Sequence, residues 1–129
     1  MSPALTLSLL DGRFTVCRLG PDAAVPANLL QAHPGFLSIT RTADELSIVC
    51  PEELAPAGAK VQPGWRAFKV EGPLDFSLTG IMATLATPLA TAKISLFAVA
   101  TFDTDYLLVP ERDLEAAIAA LSTVSAIRR

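Results

Sequence analysis

The sequence predicts an α+β fold made of two tandem ferredoxin-like units, each with an antiparallel sheet and helices on one face. Strand-like and helix-like segments follow one another in the order β-α-β-β-α, which is the split βαβ arrangement. The order then repeats, because a shift of 59 positions lays the segment from Leu37 to Glu52 on the segment from Leu96 to Glu111. We therefore place the first unit at residues 1–60 and the second at residues 61–129.

The length and composition agree with such a fold. The chain has 129 residues, so each half is near the lower limit for independent folding, and we expect the halves to pack together edge to edge. Hydrophobic residues make up 51% and charged residues 18%, which excludes a disordered chain. The formal net charge of -3 gives no basic surface, so we expect neither a nucleic acid nor a membrane as partner.

In the first half, two strand-like runs at residues 4–10 and 13–19 are separated by Asp11 and Gly12, a pair that favours a tight hairpin. The first of these strands is one more than a single unit needs, and whether it completes the second unit's sheet is left open. The other predicted elements of this half are a helix over 27–32 and strands over 36–41 and 45–50.

A linker is predicted over residues 55–63, which contain Pro56, Gly58 and Pro63 and few large apolar groups. Beyond it, an apolar stripe at helical spacing predicts a helix over 77–92, which Pro88 should kink or divide. The remaining predicted elements are strands over 65–71, 94–101 and 105–109 and a helix over 110–121.

The inventory of reactive side chains argues against an enzyme. His33 is the only histidine, and Cys17 and Cys50 are the only cysteines, which excludes a disulfide scaffold, most metal sites and a Ser-His-Asp set. We expect no catalytic residue, no metal and no cofactor. Both cysteines lie in strand-like runs and are predicted to be small buried hydrophobes in a reduced, cytoplasmic protein. The apolar run near the start lacks the preceding basic residues of a secretory signal, and no transmembrane helix is expected.

The second half, from Trp65 to Leu121, resembles the ACT domain, and the stretch ISLFAVATFDTDYLLVP at residues 94–110 is its most specific part. The first half resembles it more loosely. The pattern is similar to the tandem ACT units of aspartate kinases and of the eukaryotic cytosolic arginine sensor. Because the chain has no room for a kinase domain, the resemblance implies a free-standing tandem ACT protein.

ACT domains are regulatory βαββαβ modules that bind amino acids, so the resemblance implies a ligand at an interface between units. The ligand would contact the loop after the first strand of the second half, the following helix start and the strand–turn–strand, with the partner edge in the first half. The matching positions here are Asp75, Thr79, Gly80, Ile81, Met82, Thr101, Phe102, Asp103 and Asp105, with Ser38 and Ile39 in the first half.

These residue types suit a zwitterion. Free N–H groups at a helix start attract a carboxylate, and Gly80 has no Cβ to obstruct a ligand. The carboxylates of Asp75, Asp103 and Asp105 attract an ammonium or guanidinium group, which favours a cationic amino acid such as arginine or lysine. Each position also has a structural interpretation: Gly80 in helix–sheet packing, Asp103 in stabilising its own turn and Thr101 as an ordinary strand residue.

The resemblance therefore implies a cytoplasmic regulatory protein that binds a small amino acid and signals to a partner, as a homodimer or by docking to a metabolic enzyme or regulator. The alternative is a ligand-free assembly module that mediates dimerisation or docking to an enzyme, since some ACT domains only hold subunits together. The first interpretation predicts a stability that depends on amino acids, and the second predicts one that does not.

Overall fold

The chain folds into two units, each of which combines strands with helices. The structure is a computed structural model that describes residues 5–31, 35–72 and 80–129. The N-terminal unit is Gly12–Trp65, and the C-terminal unit is Met1–Asp11 together with Arg66–Arg129. In chain order the elements are β1 (Leu5–Leu9), β2 (Phe14–Leu19), α1 (Ala27–Gln31), β3 (Ser38–Arg41), β4 (Leu46–Pro51), β5 (Lys60–Val70), α2 (Ile81–Thr91), β6 (Phe97–Ala100), β7 (Asp105–Pro110), α3 (Leu114–Leu121) and β8 (Ser125–Arg128), with short 3-10 turns at Glu52–Leu54 and Glu111–Asp113.

In the N-terminal unit the strands follow the order β3-β4-β2-β5, and every pair is antiparallel. Strands β2 and β4 align from Phe14 opposite Pro51 to Leu19 opposite Leu46. Because side chains alternate along a strand, one face of this pair is apolar and forms the core. The fully buried members of that core are Cys17, Leu29, Leu46, Ile48 and Cys50. Both cysteines are buried and free, as predicted.

In the C-terminal unit, β7 pairs with β6 and with β5, β1 is antiparallel to β5, and β8 is parallel to β1. Alternation places Phe68 and Val70 of β5 and Leu107 and Val109 of β7 on one side, where α2 and α3 cover them. The buried core consists of Leu7, Phe68, Val70, Leu85, Leu89, Ile94, Leu107, Val109, Leu114, Ala117 and Leu121. The predicted α+β, ferredoxin-like fold with helices on one face is confirmed, except that the β1–β8 pair is parallel.

The first strand, which the sequence left unassigned, belongs to the C-terminal unit, where it lies between β5 and β8. This division differs from the predicted boundary at residue 60. The reason is the length of β5, whose first part pairs with β2 and whose last part pairs with β1. The strand that pairs with β5 therefore changes along its length, and the boundary between the units falls after Trp65. Residues up to Asp11 belong to the same unit as the residues from Arg66 onward.

Two local predictions need correction. The prediction of a hairpin at Asp11 and Gly12 is wrong, because β1 and β2 pair with different parts of β5 and are not neighbours. The predicted linker is too long, since β5 begins at Lys60. The helix α2 begins at Ile81 within the described residues, while residues 77–79 lie outside them. Of the two effects predicted for Pro88, the division of the helix is absent, because α2 runs through Pro88 to Thr91, and the kink stays a prediction. Within the described parts of the chain, no helix is both long and apolar enough to cross a membrane.

Candidate functional site

The turn between β6 and β7 is closed by Thr101. Its backbone N–H donates a hydrogen bond to the Thr104 carbonyl at 2.8 Å. Its hydroxyl donates to the same carbonyl at 3.0 Å and accepts from the Thr104 N–H at 3.3 Å. Threonine hydroxyls commonly stabilise turns in this way. Thr101 therefore shapes the turn that follows β6, which ends at Ala100, and it is not the ordinary strand residue of the structural interpretation.

The equivalent turn between β3 and β4 has two of these three hydrogen bonds. The Thr42 N–H donates to the Glu45 carbonyl at 2.9 Å, and the Thr42 hydroxyl accepts from the Glu45 N–H at 3.2 Å. Thr42 and Thr101 are the residues that the predicted repeat superimposes. The repeat is thus present in the hydrogen bonding of the two turns as well as in the residue pattern.

A buried threonine attaches the second turn to the neighbouring strand. The Thr104 hydroxyl donates a hydrogen bond of 2.5 Å to the Val70 carbonyl at the end of β5. Thr104 is buried, so this bond satisfies polar groups that water does not reach. It holds the β6–β7 turn beside the last residues of β5.

A pocket of about 190 Å³ lies at this junction, within the C-terminal unit. Its walls come from the end of β5, from the β6–β7 turn and from the start of β7. The described lining residues are Lys69, Gly72, Thr101, Asp103, Thr104 and Tyr106. The volume is below the roughly 300–1,000 Å³ of sites for drug-sized molecules, so the pocket suits a small ligand.

Of the residues that the resemblance singled out, Thr101 and Asp103 line this pocket. Phe102 lies between them and is 80% exposed. Asp105 is the first residue of β7, where it is half-buried and opposite Ala100. The structure therefore brings the β6–β7 part of the predicted site together around one turn.

The other predicted positions lie elsewhere. Gly80 caps the start of α2 with a φ of 78°, a backbone conformation that glycine adopts readily. The two residues after it, Ile81 and Met82, are half-buried in the first turn of α2, and none of the three is among the described lining residues. Ser38 and Ile39 lie on β3 opposite Val49 and Ile48 in the N-terminal unit.

Two further predicted residues, Asp75 and Thr79, lie outside the described residues. The contribution of Gly80, Ile81, Met82, Ser38 and Ile39 to a ligand site stays a prediction, as does a site where units meet. Sequence reasoning also missed four lining residues, which are Lys69, Gly72, Thr104 and Tyr106.

The missed residues had one usable signal. Lys69 is the polar residue in an alternating apolar–polar pattern, because Phe68 and Val70 on either side of it are core residues. Alternation then places Lys69 on the face of the sheet opposite α2 and α3. Tyr106 precedes the core residue Leu107 and takes the same face. Only the pairing of β7 with β5 brings this lysine and this tyrosine into one pocket.

The described residues offer neither a metal cluster nor an activated thiol. No group of three or more His, Cys, Asp or Glu side chains among them is placed to hold a metal ion. Burial, with a smaller effect of Cys17, raises the pKa of the Cys50 thiol to about 12. A thiol with so high a pKa stays protonated and is a poor nucleophile at neutral pH.

The fold and the pocket place the C-terminal unit among ferredoxin-like α+β modules. Residues 60–123 match the family model of the ACT domain, and residues 12–58 match a second model described as an N-terminal domain. Residues 60–123 of this chain therefore form an ACT domain.

The chain is similar in sequence to curated sensors and similar in fold to a solved regulatory subunit. It is 31% identical over 121 residues to the Cytosolic arginine sensor for mTORC1 subunit 1 of Mus musculus, covering 87% of this chain and 36% of that protein. The chain thus spans little more than a third of the curated relatives that it matches. A crystal structure of a protein from Agobacterium tumefaciens is 42% identical with a TM-score of 0.87, covering 98% of this chain and 93% of the other. The ligand-free regulatory subunit of aspartate kinase from Thermus thermophilus shares the fold, with a TM-score of 0.66 at 14% identity and coverage of 95% and 99%.

Proposed function

We propose that this chain is a regulatory ACT protein of the cytoplasm, without catalytic activity, that binds a small free amino acid and transmits its binding to a partner. The observation that supports it is the pocket at the end of β5, in the unit that matches the ACT domain model. A curated relative is named as a cytosolic arginine sensor, which agrees with an amino acid as ligand.

The pocket is suited to a small polar ligand in both size and chemistry. It is about 190 Å³ in volume, and its described walls contain a lysine, an aspartate, two threonines and a tyrosine. A free amino acid has an ammonium and a carboxylate within a few bonds of each other, so it needs partners of both signs at short range. The pocket provides one of each.

Ligand binding can regulate a partner because it is linked to the equilibrium between arrangements of the protein. A ligand that binds one arrangement of a protein better than another stabilises that arrangement by its differential binding free energy. The partner is then a second copy of this chain or an enzyme or regulator that recognises the ligand-bound arrangement.

Calorimetry and thermal unfolding with each of the twenty amino acids test the proposal. We expect at least one to bind at micromolar to millimolar concentration and to raise the melting temperature as its concentration rises. Simple carboxylic acids and amines of similar size are the controls and should give no shift. If no amino acid binds at millimolar concentration, the proposal is wrong.

The alternative of a ligand-free assembly module has its own readout. It predicts an oligomer that forms without any ligand. The mass of this oligomer, measured by analytical ultracentrifugation, should not change when any amino acid is added. The proposed function predicts that the amino acid identified by calorimetry changes either this mass or the stability of the assembly.

A further inference from the structure

The hydroxyl groups of the pocket are largely occupied by the protein itself. The Thr101 hydroxyl donates to one backbone group of Thr104 and accepts from another, and the Thr104 hydroxyl donates to the Val70 carbonyl. A ligand that displaced these bonds would leave backbone groups unsatisfied, one of them in a buried position. Recognition therefore depends mainly on the other side chains of the lining.

Two of those side chains are charged, and within the described parts of the chain neither makes an ion pair or a side-chain hydrogen bond. They are Lys69 on β5 and Asp103 in the β6–β7 turn. The charged residues that flank Lys69 in sequence are engaged: Arg66 lies 3.9 Å from Glu111, and Glu71 lies 3.9 Å from Arg128. Among the described residues, the end of β5 thus has a cation, Lys69, that neither Glu71 nor Glu111 neutralises.

The positions of the two charges are set by different elements. Lys69 follows the buried Phe68 and precedes the buried Val70, so alternation directs it away from the core and into the pocket. Asp103 is held by the hydrogen-bonded turn between Thr101 and Thr104. The Thr104–Val70 bond fixes this turn beside β5. Both charges therefore lie on hydrogen-bonded parts of the same unit, one on β5 and one in the β6–β7 turn.

We propose that Lys69 binds the α-carboxylate, and Asp103 the α-ammonium group, of a free amino acid whose side chain carries no positive charge. This inference rests on the proposed function and narrows it. One lysine and one aspartate match a ligand with one carboxylate and one ammonium group, and a charged pair in a small site is a strong source of selectivity. A second cation on the ligand would have no second carboxylate among the described lining residues, and it would be repelled by Lys69. The acidic residues of the sequence suggested arginine or lysine as the ligand. That preference is replaced by one for an amino acid whose side chain carries no positive charge.

Ligand analogues combined with variants test the inference. For the amino acid that binds best, the α-carboxamide removes the carboxylate charge, and the desamino acid removes the ammonium group. Calorimetry on the wild-type chain should show about 10- to 100-fold weaker binding for each analogue. Lys69→Gln should weaken the binding of the amino acid by a similar factor, but it should bind the carboxamide with the affinity of the wild type. Asp103→Asn should show the same pattern with the desamino acid.

The chain offers a matched control for each variant. Lys60→Gln removes the same charge from the other end of β5, in the N-terminal unit. Asp44→Asn changes the residue that the repeat superimposes on Asp103, and Asp44 is exposed in the β3–β4 turn. Both controls should bind the amino acid with wild-type affinity. Thermal unfolding of all four variants verifies that they are folded.

The possible failures are distinguishable. If the wild type binds an amino acid but Lys69→Gln still discriminates against the carboxamide, the assignment of Lys69 is wrong and the proposed function stands. If Asp103→Asn still discriminates against the desamino acid, the assignment of Asp103 is wrong. If arginine or lysine binds more tightly than every neutral amino acid, the side-chain preference is overturned. If the wild type binds no amino acid, the proposed function fails, and this inference fails with it.

Discussion

Thr104 and Val70 are joined by a buried hydrogen bond of 2.5 Å, in which the threonine hydroxyl donates to the valine carbonyl. The two residues are far apart in sequence, and the bond connects the β6–β7 turn to the end of β5. It therefore stabilises the fold and holds Thr104, one of the residues that line the pocket, beside β5. Its removal is the most direct test of how the pocket is held.

Thr104→Val keeps the size of the side chain and removes the donor, so the Val70 carbonyl loses its partner. We expect the free energy of unfolding to fall by about 1–3 kcal/mol, the cost of an unsatisfied buried polar group. Denaturant unfolding measures this change. Thr87→Val is the matched control, because its hydroxyl donates to Ala83 at an exposed position of α2, and it should change stability by less than about 0.5 kcal/mol. Equal effects of the two substitutions would contradict the structural role of Thr104.

Gly80→Ala tests the start of α2. Among the described residues no atom lies within 4 Å of the added Cβ, so we assign the cost to the φ of +78°, which side chains disfavour. We expect a loss of about 1–2 kcal/mol in chemical denaturation. Gly20→Ala is the control, since its Cβ also meets nothing and its φ is not positive. That variant should be neutral or slightly stabilised. A neutral Gly80→Ala would show that the helix begins differently.

Two adjacent leucines of α1 provide a test of the N-terminal core. Leu29 is 0% exposed, whereas Leu30 is 66% exposed. Leu29→Ala should lower the free energy of unfolding by about 2–5 kcal/mol, because it leaves a cavity in the core. Leu30→Ala should change it by less than about 0.5 kcal/mol. Urea titration of both variants measures the difference, and similar losses would mean that α1 presents another face to the core.

The Cys50 thiol predicts how stability depends on alkaline pH. In the native state burial raises its pKa from 9.0 to about 12. Above pH 9 the unfolded chain therefore loses a proton that the folded chain keeps, so stability falls as pH rises from 9 towards 12. Below this range the contribution is fully present. Thermal unfolding at pH 8 and pH 10.5 should show a larger drop in melting temperature for the wild type than for Cys50→Ala, and an equal drop would refute the assignment.

Local signals in the sequence predicted most of the elements and the repeat. Thr42 and Thr101 were superimposed by a shift of the sequence alone, and the structure shows two hydrogen bonds that both turns share. The failures concern pairing over long distances. Asp11 and Gly12 have the residue types of a hairpin, yet β1 and β2 pair with different parts of β5. Turn chemistry is local, whereas the choice of a partner strand depends on the whole sheet.

The last strand was missed for a related reason. Ser125–Arg128 has four residues and no turn marker of its own, and it is a strand because it pairs with β1. The pocket shows the same limit. Asp103 was found through the resemblance, but Lys69 could be connected with it only once β5 and β7 were known to be neighbours. Residues that meet across strands leave no common spacing in the sequence.

The parallel pairing of β1 with β8 has a consequence for biosynthesis. Leu5 lies opposite Ser125. Among the described elements β1 is therefore synthesised first, and it can pair with β8 only after β8, the last of them, has been synthesised. Every strand of the N-terminal unit is made between these two events. That unit can therefore complete its sheet while the chain is still being translated, and the C-terminal unit closes only after residue 128 has left the exit tunnel.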